Sequence, residues 1–136
     1  MNHYRSDMEY LVGYWIREMP IGPHRGILSV LRFHIGRDQA ISRDALLEQV
    51  KRPYHLNDRS MRACINELRK DKRPICSMGG EGGGYYLPAD PAELMDFCNH
   101  ELHPRAMDLL DQEKALKSWA ENAWGRYSPE QQLSMF

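Results

Sequence analysis

What this chain lacks bounds its class before any motif is read. No apolar run approaches the length needed to cross a bilayer. The opening Met1-Asn2-His3-Tyr4-Arg5 has neither the apolar core nor the cleavage site of a secretory signal. Cysteine is scarce: Cys64, Cys76 and Cys98 form an odd set with no C-x-x-C pair. That usage argues against a disulfide framework and for buried thiols in a reducing compartment, so cytoplasmic residence is expected. Composition excludes a disordered chain, because 42% of the 136 residues are apolar and 27% are charged. That length supports one modest core rather than two independent domains.

Net charge is also nearly absent, at −1, but the total conceals an asymmetry. Segment 23–88 carries twelve basic residues against seven acidic ones, a local +5. Segment 89–136 carries four basic and nine acidic, a local −5. A basic middle beside an acidic end implies that the middle alone faces a polyanion.

Periodicity divides the chain into segments. Met8, Leu11, Val12, Trp15 and Ile16 recur at helical spacing, and Pro20-Ile21-Gly22-Pro23 ends that helix. A second helix carries Ile27, Leu28, Leu31 and Ile35 on one face, with Gly36 as its expected C-terminal cap. Ala40-Ile41 reads as a very short extended piece. Ser42 then caps a helix bearing Leu46, Leu47 and Val50, which the break at Lys51-Arg52-Pro53 closes.

Asn57 caps a fourth helix with Met61, Cys64, Ile65 and Leu68 inward, and Pro74 stops it. A hairpin follows: Ile75-Cys76-Ser77-Met78, a glycine-rich tip at 79–84, and Tyr85-Tyr86-Leu87. Alternation on the strand predicts one of Tyr85 and Tyr86 in the core and the other wet. Asp90 caps a helix with Leu94, Phe97 and Cys98 inside. Pro104 separates it from a long amphipathic helix ending near Trp124, with Leu109, Leu110, Leu116 and Trp119 at helical spacing. From Gly125 the chain is polar and reads as loose.

Familiar catalytic and ligand motifs are missing. The glycine tip contains no G-x-x-x-x-G-K-[ST], and it lacks the third glycine of a dinucleotide fingerprint. His100-Glu101-Leu102-His103 misses the zinc-protease spacing, since Pro104 stands where the second histidine would be required. Cys98, His100 and His103 read better as groups near a helix end than as ligands. No nucleophile is paired with a base. The expectation is a protein that is not an enzyme and that uses no cofactor or metal.

The order helix, short strand, helix, helix, strand, glycine-rich loop, strand from Arg25 to Leu87 resembles a winged helix-turn-helix domain. It covers about half of the chain. Gly84-Tyr85-Tyr86-Leu87-Pro88 followed by an acidic helix resembles the small winged-helix proteins of phages and prophages. The implied fold class is mainly α with a small β wing, flanked by an N-terminal helix and a long C-terminal helix. The implied divisions are 1–22, 23–90, 91–125 and a tail at 126–136.

With Met61, Cys64, Ile65 and Leu68 inward, the outward residues of the fourth helix are those that a DNA major groove accepts. Arg59, Arg62, Ala63 and Asn66 are assigned to base edges, and Arg69, Lys70, Lys72 and Arg73 to phosphates. Asp58 and Glu67 count against this face, and the glycine tip offers Glu81 but no Lys or Arg.

The last five residues, Gln132-Leu133-Ser134-Met135-Phe136, resemble the pentapeptide by which bacterial proteins dock on the replicative sliding clamp. Four of five positions match, and Met135 replaces a leucine. The partners implied are double-stranded DNA, the bacterial sliding clamp and, through the long helix, a second copy of the chain; no membrane is implied. The leading expectation is a DNA-binding protein acting at replication. A dimeric transcriptional repressor and a protein-protein adaptor that binds no DNA are the alternatives.

Overall fold

The computed structural model describes residues 3–80 and 83–125. Its architecture is mainly helical with one two-stranded antiparallel sheet, as the sequence implied. The elements in order are α1 (His3–Glu18), α2 (Pro23–Leu31), a 3-10 turn (Arg37–Gln39), α3 (Arg43–Tyr54), α4 (Asp58–Lys70), β1 (Cys76–Met78), β2 (Gly84–Tyr86), α5 (Pro91–Phe97), a π turn (Cys98–Leu102) and α6 (His103–Trp124). The chain divides into two compact units between Glu101 and Leu102.

The first unit is organised around α2, which packs on α1, α3 and α4. Ile27, Leu28 and Leu31 are completely buried there. Met8, Val12 and Ile16 from α1 join the same core, as do Leu46 and Val50 from α3 and Met61, Cys64, Ile65 and Leu68 from α4. Each fully buried aliphatic side chain of this set stabilises the fold by about 1.5–3 kcal/mol. Gly26 allows the close approach of α3, because a Cβ at that position would meet the Tyr54 ring.

Helix ends follow local chemistry. Ser42 accepts a hydrogen bond from the Ala45 amide at 3.1 Å and starts α3. Asn57 and Ser60 form a reciprocal capping box at the start of α4, with the Ser60 amide 2.8 Å from Asn57 Oδ1 and the Asn57 amide 2.9 Å from Ser60 Oγ.

Two boundaries differ from those expected. Helix α2 stops at Leu31, and Gly36 is not its cap. Ile35 instead leaves the helix to bridge Leu87, while the Gly36 amide donates to the Leu87 carbonyl at 2.7 Å. Ile35 is buried either way, so apolar spacing could not separate the two placements. Helix α3 passes through Pro53 and ends at Tyr54, with His55 in the left-handed conformation as its cap. A proline so near a C-terminus removes one hydrogen bond from the last turn only, and the Leu56 amide still reaches the Lys51 carbonyl.

The sheet pairs Cys76 with Tyr86, Ser77 with Tyr85 and Met78 with Gly84. Ile41 adds an isolated antiparallel bridge to β2 through two hydrogen bonds to Tyr85, of 2.9 and 2.8 Å. Gly84 permits this contact, since a Cβ there would strike the Ile41 backbone. Both tyrosines are buried, contrary to the expectation of one wet ring. Tyr85 joins the main core, whereas Tyr86 packs with Cys76 and Phe97 in a second cluster that α5 supplies. A sheet covered on both faces has no wet side for the alternation to reach.

The second unit contains α6, of 22 residues, none of them buried. No helix among the described residues is long and apolar enough to cross a membrane.

Candidate nucleic-acid interface

Helix α4 presents two opposite faces. Its inward face is the buried set Met61, Cys64, Ile65 and Leu68, which fixes the rotation of the helix. Arg59, Arg62, Ala63, Asn66 and Lys70 are all exposed. These are five of the eight residues that the sequence assigned to DNA. Lys72 is also exposed, in the turn after the helix, at a positive φ of 64°.

The remaining two serve internal contacts. Arg69 Nε donates to the Ile75 carbonyl at 2.7 Å, and its Nη2 donates to Ser77 Oγ at 3.2 Å. Its guanidinium also lies 4.9 Å from the centre of the Phe97 ring. One cation thereby ties α4 to β1 and to α5. Arg73 lies 4.8 Å from the centre of the Trp15 ring and donates to the Asp71 carbonyl at 3.1 Å, joining the end of α4 to α1. Both residues fix how α4 sits against its neighbours.

The two acids that counted against this face are each matched by a base. Asp58 Oδ1 lies 3.2 Å from Arg43 Nε, and Asp58 Oδ2 lies 3.2 Å from Arg62 Nε. Glu67 Oε2 lies 2.8 Å from His24 Nε2. Arg43 is a residue of the site that the sequence reading passed over. It is the first residue of α3, and only the angle between α3 and α4 brings it to Asp58. The one sequence signal is its place after the Ser42 cap, which sets it at a helix end.

Arg37 is a second basic group that the sequence did not single out. Its Nε lies 3.3 Å from Met78 Sδ at the end of β1, and its backbone amide donates to the Glu93 carboxylate. It gives the described base of the wing the cation that the tip lacks. Glu81 and Gly82 lie outside the described residues, as do Gln132, Leu133, Ser134, Met135 and Phe136.

Other candidate chemistry is sparse. Among the described residues no three His, Cys, Asp or Glu side chains gather as a metal would require, Cys98, His100 and His103 included. All three cysteines are free; Cys64 and Cys76 are buried, whereas Cys98, expected inside, is partly exposed. Burial pushes the Cys76 thiol up to about 12 and raises Cys64 as well, so neither is a ready nucleophile. A pocket of about 210 Å³ lies between the wing and α5, lined by Arg37, Met78, Tyr86, Phe97, His100 and Glu101 among others.

Compared with known proteins, the chain matches no family, no curated protein and no solved structure.

Proposed function

We propose that this chain is a cytoplasmic DNA-binding protein of the winged helix-turn-helix type, of phage or prophage origin, with α4 as the helix that enters the major groove. The observation that carries the reading is the division of α4. Four core side chains hold one face, and Arg59, Arg62, Ala63, Asn66 and Lys70 stand exposed on the other. Arg and Asn at these positions suit guanine and adenine edges, with Ala63 leaving room for close approach. Lys70 and Lys72 suit phosphates, and Arg43 and Arg37 add cations on flanking elements. Arg69 and Arg73 contribute by fixing the helix. The reading also places the protein at replication, through docking of Gln132 to Phe136 on a bacterial sliding clamp; that half rests on the sequence alone.

The test is titration of the full chain against duplex DNA at several salt concentrations. Binding should weaken as salt rises, with a slope of about 0.9 per phosphate neutralised. Lys70→Ala should weaken binding on every sequence alike. Asn66→Ala should instead relax base preference, by about 1–3 kcal/mol if a bidentate contact is lost. In parallel, purified clamp should retain a peptide of residues 126–136 and release its Leu133→Ala form.

A second reading is a protein-protein adaptor that binds no DNA. It is favoured by Asp58 and Glu67 themselves, which pair with Arg43 and Arg62 and with His24 and so lower the net positive charge that α4 offers a polyanion. Absence of duplex binding at low salt would establish it over the first.

A further inference from the structure

Asp58 presents a physical puzzle on a face proposed to meet DNA. It opens α4 beside exposed arginines, where a carboxylate repels every phosphate that approaches. Its place in the first turn of α4 suits the positive end of that helix, a modest gain that an acid anywhere in the turn would supply. Its partners Arg43 and Arg62 are each 53% exposed and Asp58 itself 40%, and ion pairs in such surroundings contribute little. Helix capping does not require it either, because Asn57 and Ser60 already cap α4.

What the carboxylate does is geometric. Its two oxygens engage two guanidiniums from two helices, each through Nε at 3.2 Å. An arginine whose Nε faces the carboxylate keeps both Nη groups as donors, the pair that meets guanine O6 and N7 end-on. Even a weak pair biases the side chain toward one position, so that it has less rotamer freedom to lose on docking. It is also less free to swing toward whichever phosphate is nearest. A bias of this kind, together with the negative charge, lowers affinity for all DNA while sparing a base contact that matches the favoured position.

We infer that Asp58 is a selectivity residue: it weakens binding of this face to any duplex and widens the gap between preferred and random sequence. The inference rests on the DNA-binding reading above and concerns the positioning of Arg43 and Arg62. It treats the acid as a device of negative discrimination, since unpaired cations bind every sequence.

The experiment uses the full chain and two DNA probes, a random-sequence duplex and the duplex that wild type enriches from a random pool. Asp58→Asn keeps the side-chain shape and removes the charge. It should bind the random duplex about three- to tenfold tighter, with the salt slope steeper by about 0.9 as one more phosphate is neutralised. The ratio of enriched to random affinity should fall about tenfold. Arg43→Gln carries the test on α3 with α4 untouched: the ratio falls and random binding does not tighten. Unchanged ratios in both variants, with wild type still binding DNA, overturn the inference and leave the DNA-binding reading in place. A wild type that binds no duplex overturns both. An Asp58→Asn protein that binds random DNA more weakly, with an unchanged melting temperature, would show that the carboxylate contributes attraction and would also overturn the inference.

Discussion

In α2, nine residues supply three completely buried aliphatic side chains, Ile27, Leu28 and Leu31. In α6, 22 residues include Leu109, Leu110, Leu116, Trp119 and Trp124, and every one of these is more than half exposed. The two helices differ in patterning as well as in surroundings: α2 gathers its apolar residues on one face, whereas those of α6 are spread around it, contrary to the amphipathic helix expected. Helix α2 has three helices against it, and they cover the face that carries Ile27, Leu28 and Leu31. Within α6, side chains one turn apart pair, Glu113 with Lys117 at 3.4 Å and Gln112 with Asp108 at 2.7 Å. Trp119 and Trp124 meet edge to face at 4.8 Å on the same surface. Exposed apolar side chains are a demand for a partner, and within the first unit the packing of α2 meets that demand.

The contrast is sharpest under truncation of a buried leucine. Leu28→Ala should cost about 2–5 kcal/mol of unfolding free energy, because removed methyl groups leave a cavity that surrounding helices cannot fill. Urea denaturation of the full chain followed by circular dichroism measures it. A loss below about 1 kcal/mol would mean that α2 is not the centre of the core.

An alkaline titration should show a smaller effect that also belongs to the first unit. Burial raises Cys76 from 9.0 to about 12 and Tyr86 from 10.0 to about 12, and both lie in the cluster beneath α5. Below pH 9 both groups are protonated in the folded and the unfolded chain, so their contribution is fully present. As pH rises further the unfolded chain ionises first, and stability is lost progressively toward pH 12. The denaturation midpoint should therefore fall between pH 9 and 12, and Tyr86→Phe should flatten that fall. A midpoint equally steep in Tyr86→Phe and Cys76→Ala would assign the loss to other groups.

Sequence patterns carried the helices well where burial on one face was their cause. All four inward residues expected of α4 are buried, since a 3.6-residue period and a core on one side leave no other rotation. Patterns failed where a long-range contact decided the outcome. Ile35 satisfies a helical stripe and a strand bridge equally, and only Leu87, far along the chain, selects the bridge. Tyr86 is buried because α5 returns over the sheet, which alternation within a strand cannot foresee. At the site, exposure of Arg59, Arg62 and Asn66 followed from the period. The withdrawal of Arg69 did not, because its partners Ile75, Ser77 and Phe97 lie beyond the end of the helix. The Arg43 contact with Asp58 is likewise a product of the angle between two helices.

The smallest effect on the folded chain, and the most informative about α6, is expected from Leu116→Ala. Leu116 is 69% exposed, so its truncation removes little buried surface, and alanine is the better helix former by a few tenths of a kcal/mol. At protein concentrations too low for association, the unfolding free energy should stay within about 0.5 kcal/mol of wild type. Pairing with a second copy, the partner that the sequence implied for the long helix, predicts a different result at higher concentration. A two-fold contact through α6 contains each residue twice, so one substitution removes two leucines from one interface. At about 1.5–3 kcal/mol per buried leucine, dimerisation followed by sedimentation should weaken by at least a hundredfold. Monomer stability and dimer affinity thus respond in opposite ways to the same change. If Leu116→Ala lowers monomer stability as much as Leu28→Ala, α6 is packed within its own chain and the contrast between the units is lost. If neither quantity moves, the exposed apolar residues of α6 have no partner in a second copy, and the dimer is withdrawn while the fold of the first unit is untouched.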